Sequence, residues 1–77
     1  FAEYALVEPH SVAKKPAGVP FEQAAAVPLA GTTALQAMRL AGVSPGRRTL
    51  IVGGGGGVGL FAVQIARVLG AHVTVVC

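Results

Sequence analysis

Apolar and polar positions follow different rhythms along this chain, and the clearest lie in its second half. Thr49 to Val52 is a short apolar run. From Val58 onward, apolar residues recur at helical spacing: Val58, Phe61, Ala62, Ile65, Val68 and Leu69, with Gln64 and Arg67 on the far side. His72 to Cys77 is rich in valine. The pattern predicts a strand over 48–52, a helix over 58–69 ended by Gly70, and a parallel strand over 72–77 suited to burial on both faces.

Upstream, Ala34, Leu35, Met38 and Ala41 form an apolar stripe that predicts a helix over about 32–40. Thr32 or Thr33 can cap it, and Gly42 stands where a helix-ending glycine belongs. A shorter helix is expected from Pro20 or Phe21 through Ala26, favoured by Glu22 in its first turn and interrupted by Pro28. Phe1 to Glu8 reads as a strand, Glu8 to Ser11 as a turn, and Ser11 to Lys15 as a short edge strand stopped by Pro16. Pro16 to Pro20 and Ser44 to Gly46 are loop and turn.

Between the first predicted strand of the second half and its helix lies Gly53-Gly54-Gly55-Gly56-Gly57-Val58-Gly59. Six of the chain's 11 glycines fall within residues 51–59. Strand, glycine turn and helix, in that order, are what a dinucleotide phosphate site requires. A diphosphate needs donors at close range, and the first turn of a helix offers unpaired N–H groups at the positive end of its dipole. The pattern G-x-G-x-x-G fits in one register, Gly54, Gly56 and Gly59. Gly54 is then expected to make the tight turn, Gly56 to let backbone approach the diphosphate, and Gly59 to let helix and strand pack closely. The N–H groups of Gly57 and Val58 would point at the phosphates. A flexible glycine loop without a ligand is the alternative. A P-loop is not, because Leu60 and Phe61 follow Gly59 where Lys and Ser/Thr would have to stand.

Composition narrows the class. Hydrophobic residues make up 53% of the 77 and charged ones 12%, against a typical charged share of about 25%. A small isolated domain has relatively more surface to cover and should be more polar. The expectation is therefore one domain or a piece of one, excerpted from a larger α/β protein and poorly folded in isolation. Thr49 to Ala66 is uncharged over 18 residues, but its glycines make it a poor membrane helix. No signal peptide is visible. The net charge of +3 comes from scattered residues and the pairs Lys14-Lys15 and Arg47-Arg48, without interleaved aromatics, so neither nucleic acid nor membrane is an expected partner. Arg47-Arg48 precede their strand and so stand opposite the glycine turn. The single cysteine, Cys77, excludes an internal disulfide framework and fits a cytoplasmic setting. His10 and His72 have no metal-ligand spacing, and no metal site or catalytic residue is assigned.

Phe1-Ala2-Glu3-Tyr4, the run Glu22 to Ala34, Gly42 to Gly46, the glycine turn, Val63-Gln64-Ile65-Ala66 and Leu69-Gly70-Ala71 together resemble the medium-chain dehydrogenase/reductase superfamily, in its zinc-independent quinone oxidoreductase (zeta-crystallin-like) branch. The resemblance covers essentially the whole chain. It implies an α/β fragment: the first βαβ unit of a Rossmann doubly wound parallel sheet, preceded by the end of a GroES-like catalytic domain and an interdomain helix. Residues 1–19 would close the catalytic domain, 20–42 would form the interdomain helical region, and 43–77 would open the Rossmann domain. It further implies an enzyme that binds NADPH and passes hydride to a quinone or an α,β-unsaturated carbonyl, with a small-molecule substrate and a homodimer as the full-length assembly. An enoyl-reductase module of a multidomain synthase, and a non-catalytic nucleotide-binding protein, are the competing readings.

On that resemblance Thr33 matches a threonine that approaches the nicotinamide; on the residues alone it is equally a helix cap. The branch usually carries alanine and a small polar residue where Gly54 and Gly55 stand, so this turn departs from it. In NAD enzymes an acidic residue about 20 positions past the glycines binds the ribose. Cys77 lies 18 residues after Gly59, and no Asp or Glu follows Glu22. The missing carboxylate favours NADP. Cys77 itself reads as a buried strand-end thiol without a role.

Overall fold

The computed structural model describes residues 2–77. A single 3-10 turn, Pro9–Ser11, is followed by α1 (Phe21–Ala25), α2 (Pro28–Leu40), β1 (Arg48–Val52), α3 (Gly57–Val68) and β2 (His72–Val76). β1 and β2 pair in parallel, from Arg48 opposite His72 to Val52 opposite Val76. The second half of the chain is thus a β–α–β unit with the boundaries its periodicity predicts, to within a residue.

The first half departs from expectation. Ala2 to Glu8 forms no strand, nor does Ser11 to Lys15, and Phe1 lies outside the described residues. Extended backbone becomes a strand only by pairing, and the ladder among the described residues joins β1 to β2 alone. This N-terminal stretch is exposed nearly throughout. The Cα radius of gyration, 14.4 Å, exceeds the roughly 11.5 Å of a compact chain this long.

α1 ends at Ala25, before Pro28, as expected, and Pro28 also starts the next helix. It occupies the first turn of α2, where its missing N–H would have had no partner. α2 therefore begins four residues before Thr32, and neither Thr32 nor Thr33 caps it. Thr33 lies inside the helix, and its Oγ1 donates to the Leu29 carbonyl at 2.7 Å. Both long helices close in the same way. The N–H groups of Gly42 and Val43 bond to Arg39 and Met38, and those of Gly70 and Ala71 to Arg67 and Ala66. Gly42 and Gly70 have φ of +71° and +82°, so each helix ends in a left-handed glycine cap.

The core is built where α2, α3 and β1 meet: Ala34, Met38, Ile51, Ala62 and Ala66. Small side chains let the helix backbones approach closely. Gly31 takes part, since a Cβ there would meet Val27 Cγ1 at 3.0 Å and Phe61 Cδ1 at 3.7 Å. The buried line on α3 is Ala62 and Ala66, with Phe61, Val63, Ile65 and Leu69 packed around it. This rotates the expected stripe: Val58 and Val68 are exposed, and Ala66 takes the innermost place. Helices cover one face of the sheet only. On the other, Leu50 and Val52 of β1 are 63% and 76% exposed and Val76 of β2, opposite Val52, is 48% exposed, so β2 is not buried on both faces.

Candidate site at the glycine turn

The turn begins where β1 stops. Gly53 has φ +83°, a conformation that side-chain-bearing residues rarely adopt. Its N–H bonds to the Val76 carbonyl at 2.8 Å, and the Gly54 N–H bonds to the same oxygen at 3.2 Å. The Gly53 carbonyl accepts the Gly56 N–H at 3.1 Å and closes the turn. The tight-turn role expected of Gly54 therefore belongs to Gly53. The left-handed residue is the first one past the strand, at the point where the end of β2 captures the chain.

Gly54 needs its missing side chain for a different reason. It is buried, and a Cβ would collide with Val75 Cγ1, with Val63 Cγ2 at 3.7 Å on the α3 side. Gly59 is a third case. A Cβ there would strike the Gly53 carbonyl oxygen and come within 2.8 Å of Gly54 Cα. This is the close approach of helix to strand end expected of it. Gly55 and Gly57 face open space, and at Gly56 the nearest atom to a Cβ would be the Gly53 oxygen at 3.6 Å. The middle of the turn is therefore open, while Gly54 and Gly59 are held by packing.

α3 starts at Gly57 with Gly56 as its N-cap residue, extended at φ −80°, ψ 172°, and no side chain caps it. Its first bond is from the Leu60 N–H to the Gly56 carbonyl at 2.9 Å. The N–H groups of Gly57, Val58 and Gly59 precede that bond and have no partner within the helix. With the dipole behind them they form a positive end free of capping side chains. The arrangement can bind an anion, and a Cβ at Gly55 or Gly57 would meet no atom within 4 Å.

Of the residues singled out from the sequence, Gly54, Gly56, Gly57, Val58 and Gly59 lie together in this turn. Thr33 stands apart, exposed on α2, its hydroxyl engaged by its own helix. Arg48 is at the amino end of β1, four residues from Val52, about 13 Å along a strand. Cys77 is exposed and lies beyond β2, not buried at its end. His10 Nε2 lies 3.0 Å from Glu8 Oε2 on the surface. Among the described residues no group of three or more His, Cys, Asp or Glu could hold a metal, and no helix is long and apolar enough to cross a membrane.

Sequence reading missed two residues. Gly53 was hidden by the motif register, which assigns residue types but not the sign of φ. In the sequence Lys15 is only half of the pair Lys14-Lys15. Its Nζ donates to the carbonyls of Pro16 at 3.0 Å and Val19 at 2.6 Å and sits 5.0 Å above the Phe21 ring. It fastens the 16–20 loop to the start of α1, beside a cavity of about 300 Å³ lined by Lys15, Val19, Ala24 and Val27.

No family model matches the chain. Individual proteins do. Alcohol dehydrogenase 1 of Emericella nidulans is 45% identical over 76 residues, 99% of this chain and 22% of that protein. The crystal structure of the CurK enoyl reductase superposes with a TM-score of 0.74 at 44% identity, covering 82% of this chain and 19% of that one. The quinone oxidoreductase of Thermus thermophilus, also solved in complex with NADPH, gives 0.71 at 38% identity, over 78% and 20%. The chain spans about a fifth of the length of most of the curated relatives it matches and 1% of the polyketide synthase GfsB of Streptomyces halstedii.

Proposed function

We propose that the chain belongs with the alcohol dehydrogenase-like, quinone oxidoreductase and enoyl reductase proteins it resembles, in the medium-chain dehydrogenase/reductase superfamily, and that it forms the NADPH diphosphate site of an oxidoreductase. The substrate is a small molecule, a quinone or an α,β-unsaturated carbonyl, reduced without zinc. The observation that carries the reading is the uncapped start of α3, opened by glycines beyond the carboxyl ends of two parallel strands. That is where ligands bind in open α/β sheets. The NADPH-bound relative supports the choice of cofactor.

In this reading the N–H groups of Gly57 and Val58 hold the diphosphate, Gly54, Gly56 and Gly59 shape the approach, and Thr33 lies toward the nicotinamide. Bound NADPH supplies the hydride; the residues of this chain bind and orient it. Residues 1–19 close a GroES-like catalytic domain, 20–42 join the domains, and 43–77 open the Rossmann domain.

Titration with NADPH, followed by reduced-nicotinamide fluorescence, tests the site. Saturable binding is expected, and a signal unchanged up to millimolar cofactor would sink the proposal. A second reading, an enoyl-reductase module of a multidomain synthase, is favoured by the CurK superposition and by 47% identity to polyketide synthase GfsB of Streptomyces halstedii over 74 residues. Turnover of an enoyl thioester in place of quinones and simple enones selects it.

A further inference from the structure

Gly54 is the one residue of the turn clamped from both sides. Val75, on β2, faces it from the sheet, and Val63 approaches from α3. Val75 is paired with the buried Ile51 and immediately precedes Val76, whose carbonyl takes the N–H groups of Gly53 and Gly54. One strand end therefore acts on the turn twice. The Val76 oxygen tethers it, and the Val75 methyl occupies the space where a side chain at position 54 would be.

We infer that Val75 is a positioning residue of the diphosphate site: its bulk requires glycine at position 54 and sets how far the turn stands off the strand ends. This rests on the reading of the turn as an NADPH site. A Cβ at position 54 meets a β-branched side chain with restricted χ1. Val75 can yield only by leaving its rotamer or by letting the turn ride outward. An outward shift carries Gly56 and Gly57 with it, because the Gly53 carbonyl accepts from Gly56 and abuts Gly59. Displacements of an ångström at such a site weaken function steeply.

The test is a double-mutant cycle in the protein: parent, Gly54→Ala, Val75→Ala and the pair, each measured for NADPH dissociation constant and melting temperature. Gly54→Ala should melt lower and bind NADPH about tenfold more weakly or worse. The double variant should recover both, binding within about threefold of the parent. If Gly54→Ala alone does not fold, folding of the double variant is the rescue, and its failure to fold overturns the inference. Parent-like NADPH binding by Gly54→Ala overturns it. Recovery of melting temperature without recovery of binding also overturns it, reducing the pair to packing. A parent that binds no NADPH refutes the functional reading and with it the positioning role, while the melts still decide whether the two side chains compete for one space.

Discussion

The Val76 carbonyl, at the end of β2, accepts the Gly53 N–H at 2.8 Å. Two residues 23 positions apart in sequence are joined by a bond that fixes where β1 turns toward α3. The glycine turn is therefore no free loop. Its first residue is anchored to the neighbouring strand in a left-handed conformation, and Gly54 to Gly57 are placed from that anchor.

Gly53→Ala should destabilise the protein by about 1–2 kcal/mol, the penalty of a left-handed backbone at a residue with a Cβ. No atom lies near enough to clash, so strain is the whole effect. Gly53→Asn should lose less, since asparagine tolerates that region better. Denaturant unfolding of the two variants checks the order; equal losses would show that φ is not the cause.

Gly59→Ala reverses an ordinary rule. Within a helix, alanine is favoured over glycine by about 1 kcal/mol. Here the new Cβ strikes the Gly53 carbonyl and Gly54 Cα, and a net destabilisation of roughly 2 kcal/mol or more is expected. A melting temperature at or above the parent's would contradict the packing.

Gly57→Asp separates stability from binding. Position 57 is the first residue of α3 and faces open space, so a carboxylate there should stabilise the helix by about 0.3–1 kcal/mol. The same charge lies where the diphosphate is proposed to bind. NADPH affinity should fall by roughly 100-fold or more through repulsion in place of attraction. Melting and titration on one sample decide it. Undiminished binding would place the ligand elsewhere.

Lys15→Met keeps the apolar stem and removes the ammonium that bonds Pro16 and Val19. A loss of about 1 kcal/mol is expected, with faster proteolysis within residues 16–20 and an unchanged NADPH dissociation constant. A change in cofactor affinity would mean that the loop and the glycine turn are coupled.

The β–α–β half was legible because its signals are local. Thr49 to Val52 and His72 to Val76 are apolar runs between turn residues, and Gly70 marks a helix end wherever it falls. The expected N-terminal strand does not form, because pairing is a property of two segments and Ala2 to Glu8 has no strand partner among the described residues. Pro28 marks the end of α1 in the sequence but does not show that α2 starts on the same residue, because proline can both stop a helix and open the next. Within the glycine run, residue type is uniform, so composition marks the site but cannot allot the work. That Gly53 bends, Gly54 yields space and Gly59 packs depends on Val75 and Val76, which lie a helix away in sequence.

The turn is secured by main-chain groups: amides of Gly53 and Gly54 on the Val76 oxygen, the Gly56 amide on the Gly53 oxygen, and free amides at the head of α3. None of these groups ionises between acid and mildly basic conditions. Acidity will therefore leave the grip on the diphosphate, whose two phosphorus atoms stay singly ionised, unchanged, and will act chiefly on the 2′-phosphate monoester of NADPH, whose second ionisation falls at pH ~6. Added salt, which weakens the attraction of a helix end for an anion, will loosen that grip at any pH.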